Sequence, residues 1–112
     1  MIGIGGNTKA VIQIRTVTKN ALHEHVEAWT DVQTVKGWLD LNSGDAHTTT
    51  YYAKIQDSTH YFIADYVKLD SRITDENSRM VIGNKHYDIR LIDNPMEMNQ
   101  QLEFYLKYTG GQ

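Results

Sequence analysis

The 112-residue sequence contains no cysteine and a single proline. Without cysteine the chain has no disulfide framework, no thiolate zinc site and no cysteine nucleophile. It also lacks any run of about 18 apolar residues, the length that a membrane-spanning helix needs. Its first residues, Met1 to Asn7, carry neither the basic segment nor the long apolar stretch of a signal peptide. We therefore expect a chain that is made and kept in the cytoplasm, with no membrane partner.

Positive charge is not in excess. The 11 Lys and Arg residues face 14 Asp and Glu, which gives a formal net charge of -3. Proteins that grip the DNA backbone usually carry a basic face, and this composition gives no sign of one. Hydrophobic residues make up 40% and charged residues 22%, a balance typical of a globular domain rather than a disordered chain.

Leucine and alanine, which dominate helical domains, are scarce. They total 13 residues, whereas the strand-favouring Val, Ile, Thr, Tyr, Phe and Trp total 39. The sequence therefore predicts a mainly β fold, a small antiparallel β-barrel or sandwich of about six or seven strands with one short helical insert. We expect a single β-barrel domain over residues 10–108, between flexible glycine-rich tails at residues 1–9 and 109–112.

Alternation of apolar and polar residues locates the strands. It is clearest over residues 10–18, 59–69, 79–82, 85–92 and 101–108. The pair Gly83-Asn84 predicts a tight hairpin turn. Between residues 26 and 41 the alternation changes phase, which indicates two short strands or one strand with a bulge between Thr34 and Gly37. Ser43 or Asp45 is a candidate cap for a short helix that ends near Lys54.

The most prominent candidate metal site is His23-Glu24-His25. On an extended segment His23 and His25 would share one face, and two imidazoles can bind zinc or nickel. No third ligand follows at a recognisable spacing, so we favour a solvated polar turn and predict no bound metal.

Other patterns for catalysis or ligand binding are weaker. Asp70, Asp75 and Glu76 lack the glycine and the ligand spacing of an EF-hand, which favours a surface loop. The glycines at positions 3, 5 and 6 precede a strand instead of following one, so a phosphate-binding turn is not supported. The serines lie in predicted loops, none of them in a nucleophile elbow. We expect no enzyme activity and no cofactor.

Aromatic residues recur at alternating positions within the predicted strands. Such side chains can stack on nucleic-acid bases, but this alternation favours packing in the core or at a subunit interface. The set comprises Trp29, Trp38, Tyr61, Phe62, Tyr66, Tyr87, Phe104 and Tyr105.

A family resemblance is carried by segments in a fixed order. They are Ile12-Gln13-Ile14-Arg15, Trp29, Val35-Lys36-Gly37-Trp38-Leu39, the polar insert from Ser43 to Asp57, Tyr61-Phe62-Ile63-Ala64-Asp65-Tyr66, the hairpin Met80-Val81-Ile82-Gly83-Asn84-Lys85-His86-Tyr87-Asp88-Ile89, Asp93-Asn94-Pro95 and the strand from Leu102 to Tyr108. This set resembles the phage head–tail joining proteins, also called head-closure or stopper proteins, of the siphovirus neck. The hairpin is similar to their hydrophobic–x–Gly–x–x–Tyr–x–Ile pattern, but three residues instead of two separate Gly83 from Tyr87. Asp65-Tyr66 departs from the family, which often has a basic-aromatic pair there. The resemblance covers residues 10–108.

The resemblance implies a structural protein that assembles with itself as a ring, a dodecamer in the neck. The ring would lie below the portal or adaptor protein, close the DNA channel after packaging and offer the docking surface for a tail-terminator or tail protein. Packaged DNA would pass without sequence-specific binding. The family's insert corresponds to the segment from Ser43 to Asp57, so the candidate channel-facing or partner-facing residues are Asp45, His47, Tyr51, Tyr52 and Lys54. The protein would be in the host cytoplasm during assembly and in the virion neck afterwards.

Two other classes of function stay open on the sequence. One is a small barrel that binds a ligand or single-stranded nucleic acid. The other is a metalloenzyme built on His23 and His25. A ring-forming protein should self-associate, a binding module should respond to oligonucleotide as a monomer, and a metalloenzyme should copurify with metal.

Overall fold

The structure, a computed structural model, describes residues 8–41 and 58–111. In these ranges the chain forms six strands that close an antiparallel barrel in the order β1-β2-β3-β6-β5-β4. The elements are β1 (Thr8–Lys19), β2 (His25–Leu41), β3 (His60–Asp65), β4 (Ser78–Ile82), β5 (Lys85–Asp93), a 3-10 helix (Pro95–Glu97) and β6 (Gln101–Gly111). The predicted small, mainly β barrel is confirmed. No helix in the described ranges has the length and apolarity needed to cross a membrane.

The ends of the barrel domain differ from the expected boundaries. β1 begins at Thr8, and β6 continues to Gly111, where it pairs with Lys85 at the start of β5. Residues 109–111, expected to belong to a C-terminal tail, are part of β6, and Thr109 Oγ1 also donates to the carbonyl oxygen of His86, 3.1 Å away. Gly110 and Gly111 are unfavourable in a strand, which made a tail the expectation from the sequence. β5 nevertheless supplies backbone partners for both residues, and the sequence pattern does not reveal this pairing. The predicted helix from Ser43 or Asp45 to Lys54 lies outside the described residues.

The barrel interior is filled by side chains at every second position of the strands, the period expected for half-buried strands. Each fully buried large apolar side chain contributes about 1.5–3 kcal/mol through removal of its surface from water. The core residues are Ala10, Ile12, Val35, Phe62, Ala64, Met80, Tyr87, Ile89, Leu102, Phe104 and Leu106.

β2 is one continuous strand of 17 residues with a bulge. Ile12 of β1 pairs with Gln33, but the next residue, Gln13, pairs with Asp31, so Val32 is the extra residue. A bulge was one of the two expected explanations of the phase change, but its expected position between Thr34 and Gly37 is wrong. The bulge lies beside residues 66–70, which leave β3, and Gln33 binds there: its Nε2 donates to the Lys68 carbonyl (3.2 Å) and its Oε1 accepts from the Asp70 amide (2.8 Å). These tertiary contacts favour the bulge at Val32.

The β4–β5 hairpin forms as predicted. Ile82 pairs with Lys85 across the two-residue turn, and Gly83 has a φ of 63°. This left-handed conformation costs glycine little, because it has no Cβ to clash with the backbone. Asp93 ends β5 two residues before Pro95, which cannot donate a ladder hydrogen bond.

The antiparallel pairings give the barrel two different ends. At one end lie Leu41, Ser58, the Gly83-Asn84 turn and Gly111. At the other end the β1–β2 hairpin extends away from the barrel, beside the loop of residues 66–77 and the 3-10 helix.

Candidate functional site

Residues 15–30 form a two-stranded ribbon, called the arm here, that extends beyond the barrel. In the described part of the chain, β4 pairs with β1 from Val11 to Ile14, and β3 pairs with β2 from Gly37 onward. The β1–β2 pairing itself continues to Lys19 and His25. The two strands of the arm therefore stay paired with each other beyond the points where β4 and β3 pair with them. The residues of the arm are exposed, apart from the half-buried Trp29.

The two faces of the arm differ in charge. Antiparallel partners point to the same side of a sheet, so each face can be assigned from the register. The face that continues the barrel interior is uncharged, with the pairs Ile14–Thr30, Thr16–Ala28 and Thr18–Val26. The face that continues the exterior carries the charges, with the pairs Arg15–Trp29, Val17–Glu27 and Lys19–His25.

The tip of the arm, residues 19–25, is a hydrogen-bonded turn organised by Asn20. Its Oδ1 accepts from the backbone amides of Leu22 (2.9 Å) and Glu24 (3.0 Å), and its Nδ2 donates to Glu24 Oε1 (3.2 Å). The turn holds Leu22 outward, with 77% of its surface exposed. The tip thus presents an apolar side chain on an ordered backbone.

The histidines of the candidate metal site lie at this tip. His23 has a φ of 62° and its amide donates to the Asn20 carbonyl (3.0 Å), so the segment turns at His23. The premise of an extended segment with both imidazoles on one face is therefore wrong. His25 starts β2 opposite Lys19. Within residues 8–41 and 58–111, no three His, Cys, Asp or Glu side chains are grouped to hold a metal ion.

The base of the arm is fixed to the barrel through Arg79 of β4. The guanidinium carbon lies 4.1 Å from the centroid of the Trp29 ring, a cation–π geometry. Arg79 Nε donates to Gln13 Oε1 (2.7 Å), and Gln13 Nε2 donates to Asp31 Oδ1 (2.7 Å). This chain of contacts joins β4, β1 and β2 at the point where the arm leaves the barrel.

Arg79→Lys is expected to lower the free energy of unfolding by about 1–2 kcal/mol, because an ammonium cannot both stack flat on Trp29 and donate in the plane of the guanidinium. Urea unfolding followed by tryptophan fluorescence measures the change. Arg15→Lys is the control, since Arg15 makes an exposed pair with Glu27 at 3.3 Å and should cost less than about 0.5 kcal/mol. Equal costs for both variants would contradict a specific role for Arg79.

A cleft of about 580 Å³ lies beside the base of the arm. The amide of Arg15 donates to the Asn77 carbonyl (2.8 Å), which holds the loop before β4 against the arm. Carboxylates outnumber guanidinium groups in the cleft, four to two, and the half-buried Trp29 supplies apolar surface. The acidic residues are Glu27, Asp75, Glu76 and Asp88, and the basic ones are Arg15 and Arg90. Sequence reasoning missed this cleft because its lining comes from four separated segments with no local motif.

Asp70, one of the candidate calcium residues, is bound to Arg72. It accepts from the Arg72 amide, Nε and Nη2, each at 2.9 Å. The hydrogen bonds from the Arg72 side chain and, to a lesser extent, the one from its backbone amide lower the pKa of Asp70 from 3.8 to about 2. The candidate calcium residues lie in a surface loop, as the sequence favoured. Asp70 is bound to Arg72, whereas Asp75 and Glu76 line the cleft.

Asp70→Asn is expected to lower the melting temperature at neutral pH, with a difference from wild type that disappears in acid. The folded pKa is below the ordinary value of 3.8, so the stabilisation is full above about pH 4 and is lost as pH falls through about 2. Thermal melts across this range measure it. Arg72→Gln, which removes the partner, should show the same pH dependence; a difference that stays constant into acid would contradict the assignment.

The predicted insert residues Asp45, His47, Tyr51, Tyr52 and Lys54 lie outside the described residues. His60, which pairs with Leu41 at the end of β2, has its ring centroid 5.1 Å from that of Tyr87. Burial and the nearby Lys85 lower the pKa of His60.

The aromatic residues divide between the core and the outer surface. Phe62, Tyr87 and Phe104 are buried, which confirms core packing for them. Tyr61 and Tyr105 stack on the outside at 6.2 Å between ring centroids, and Trp38 is 56% exposed. Subunit-interface packing stays a prediction for the outer set.

The chain belongs to the class of small closed antiparallel β-barrels, here with an extended hairpin. No protein-family model and no curated protein matches the sequence. Among solved structures, it is similar to a chain in the virion of a native gene transfer agent particle, with a TM-score of 0.59 and 12% identity. The match covers 94% of this chain and 96% of that chain, so the two share a fold over nearly their whole lengths.

Proposed function

We propose that the chain is a structural protein of a phage-like virion and acts in its neck. The observation that carries the proposal is the shared fold, over 94% of the chain, with a protein of a gene transfer agent virion. The ordered segments that resemble head–tail joining proteins add independent support, because they come from the sequence and cover the same barrel strands.

In this proposal the chain assembles with itself as a ring, a dodecamer in the neck, below the portal or adaptor protein. The ring closes the DNA channel after packaging and offers the surface to which a tail-terminator or tail protein attaches. The two dissimilar barrel ends suit a joint, which must meet one partner on the head side and another on the tail side. The segment from Ser43 to Asp57 is the candidate for lining the channel or contacting a partner.

The mechanism is assembly without covalent chemistry or a cofactor. A net charge of -3 suits a channel that DNA must slide through, because a strongly basic wall would hold the phosphates. The protein is present in the host cytoplasm before it joins the virion neck.

Deletion of the gene from the genome that encodes it tests the proposal. We expect electron microscopy to show heads without attached tails, and mass spectrometry of wild-type particles to detect the chain. Wild-type protein supplied in trans should restore tailed particles. Normal numbers of tailed, active particles after deletion would refute the proposal.

One observation favours a second candidate, a module that binds single-stranded nucleic acid. Lys9 and Lys36 are cross-strand partners on the barrel exterior, and Trp38 lies two residues further along β2, with 56% of its surface exposed. Basic side chains beside an exposed ring can hold a stacked base. This function predicts quenching of tryptophan fluorescence by oligonucleotide, abolished in Trp38→Ala; the neck function predicts no quenching.

A further inference from the structure

We propose that the arm tip of one copy inserts into the acidic cleft at the arm base of the next copy. This contact rests on the proposed function, since it would be the subunit contact of the ring. The tip and the cleft are different surfaces of one chain, so the contact is head-to-tail, the type that closes a ring when the rotation between copies permits.

The tip carries the features of an inserted element. Leu22 projects from a turn whose backbone is held by Asn20, so little conformational entropy is lost when it binds. Lys19 and His25 are cross-strand partners on the charged face of the arm. Glu24 Oε1 accepts from Asn20 Nδ2, 3.2 Å away within the turn, and Lys19 is the cationic side chain that the tip offers to a partner.

The cleft carries the complementary features. It is concave, about 580 Å³ in volume, and lined by an excess of carboxylates. The half-buried Trp29 offers apolar surface for a leucine, and the exposed Glu76 lies on the loop that borders the cleft. An apolar contact surrounded by opposite charges gives both affinity and a defined orientation.

Geometry excludes insertion of a tip into the cleft of its own chain. Arg15 lines the cleft, and the tip begins four residues further along the same strand, at Lys19. At about 3.4 Å per residue this places the start of the tip roughly 14 Å beyond its own cleft. The tip of a second copy is therefore the occupant that has both the matching chemistry and access.

A charge-reversal experiment tests the contact. Lys19→Glu and Glu76→Lys are each expected to weaken self-association at least about tenfold in analytical ultracentrifugation, because each places like charges together. An equimolar mixture of the two variants should recover wild-type association, since every tip then finds an opposite cleft. Lys9→Glu, an equal change on the barrel exterior, should have no effect.

Leu22→Ser tests the apolar part. It is expected to weaken association about tenfold or more, whereas Met96→Ser, at a residue 87% exposed on the 3-10 helix, should leave it unchanged. Circular dichroism melts should match wild type for both variants, because neither side chain is in the core.

Disulfide trapping detects the contact even when it is weak, because the natural chain has no cysteine. Leu22→Cys mixed with Glu76→Cys should give a mixed crosslinked dimer under oxidation, and a chain with both changes should give a ladder of oligomers. Absence of the mixed dimer, dimers of Leu22→Cys alone, or failure of the charge-reversed mixture to recover would overturn the tip-to-cleft contact. Such a result would leave the neck function standing, which the deletion phenotype decides separately.

Discussion

Replacing Gly37 by alanine is expected to lower the free energy of unfolding by about 3 kcal/mol, as for severe overpacking of a core. Gly37 lies in β2 opposite Ala64 of β3. A Cβ at this position would overlap the carbonyl oxygen of Ile63 and lie 2.9 Å from Phe62 Cε1. The first neighbour is backbone and cannot rotate away, so β2 and β3 must separate and the barrel must open between them.

Gly83→Ala is the matched control for this prediction. Gly83 has a φ of 63°, but a Cβ there meets nothing within 4 Å. Its cost is the backbone strain alone, about 1–2 kcal/mol. Chemical denaturation of the two variants and wild type measures both values. If Gly37→Ala were no more costly than Gly83→Ala, the close approach of β2 to β3 would be disproved.

Strand positions could be predicted because each strand has one buried face. In β6 the alternation of Leu102, Phe104 and Leu106 with polar residues reflects the barrel wall directly, and these three side chains are all buried. The β4–β5 turn could also be predicted from the sequence, since Gly83 supplies the positive φ that a two-residue hairpin needs.

The arm could not be separated from the barrel as a distinct element, because β1 continues as one strand from Thr8 to Lys19. A subtler signal was present. The inward positions change from Ala10, Ile12 and Ile14, which are buried, to Thr16 and Thr18, which are exposed. When the inward side chains of a strand change from apolar to polar while the strand continues, the strand has extended beyond the core. A two-stranded ribbon of this kind needs no apolar face.

The cleft and the bulge depend on contacts between distant segments. Val32 is the extra residue because Gln33 binds the backbone at Lys68 and Asp70, more than thirty positions away. The cleft joins Trp29 with Asp88 and the loop at Glu76. No local sequence pattern encodes these contacts between distant segments, which follow from barrel closure.

The arm has no core of its own, so its orientation depends on the barrel on which it is mounted. Residues 15–30 are held through Trp29, Arg79 and Gln13, which lie on strands whose other faces form the core. Loss of core packing should therefore impair any assembly that uses the arm, even though the arm itself is far from the altered residue.

Phe104→Ala is expected to lower the free energy of unfolding by about 3–5 kcal/mol, because it leaves a cavity where a fully buried ring packed. Phe104 lies 6.4 Å from Phe62, ring centroid to centroid, at the centre of the barrel. A domain of this size has about 5–15 kcal/mol of stability in total, so the loss removes a large share of it.

The adjacent residue provides the control, since Tyr105 lies in the same strand but faces outward, stacked on Tyr61. Tyr105→Ala should cost about 1 kcal/mol, the value of a half-buried aromatic pair on the outer face of a sheet. Denaturation curves measure both variants, and complementation of the deletion measures tailed particles. Phe104→Ala should reduce particle number in proportion to its unfolded fraction, with recovery at lower temperature; full particle yield from a largely unfolded variant would contradict the dependence of assembly on the barrel.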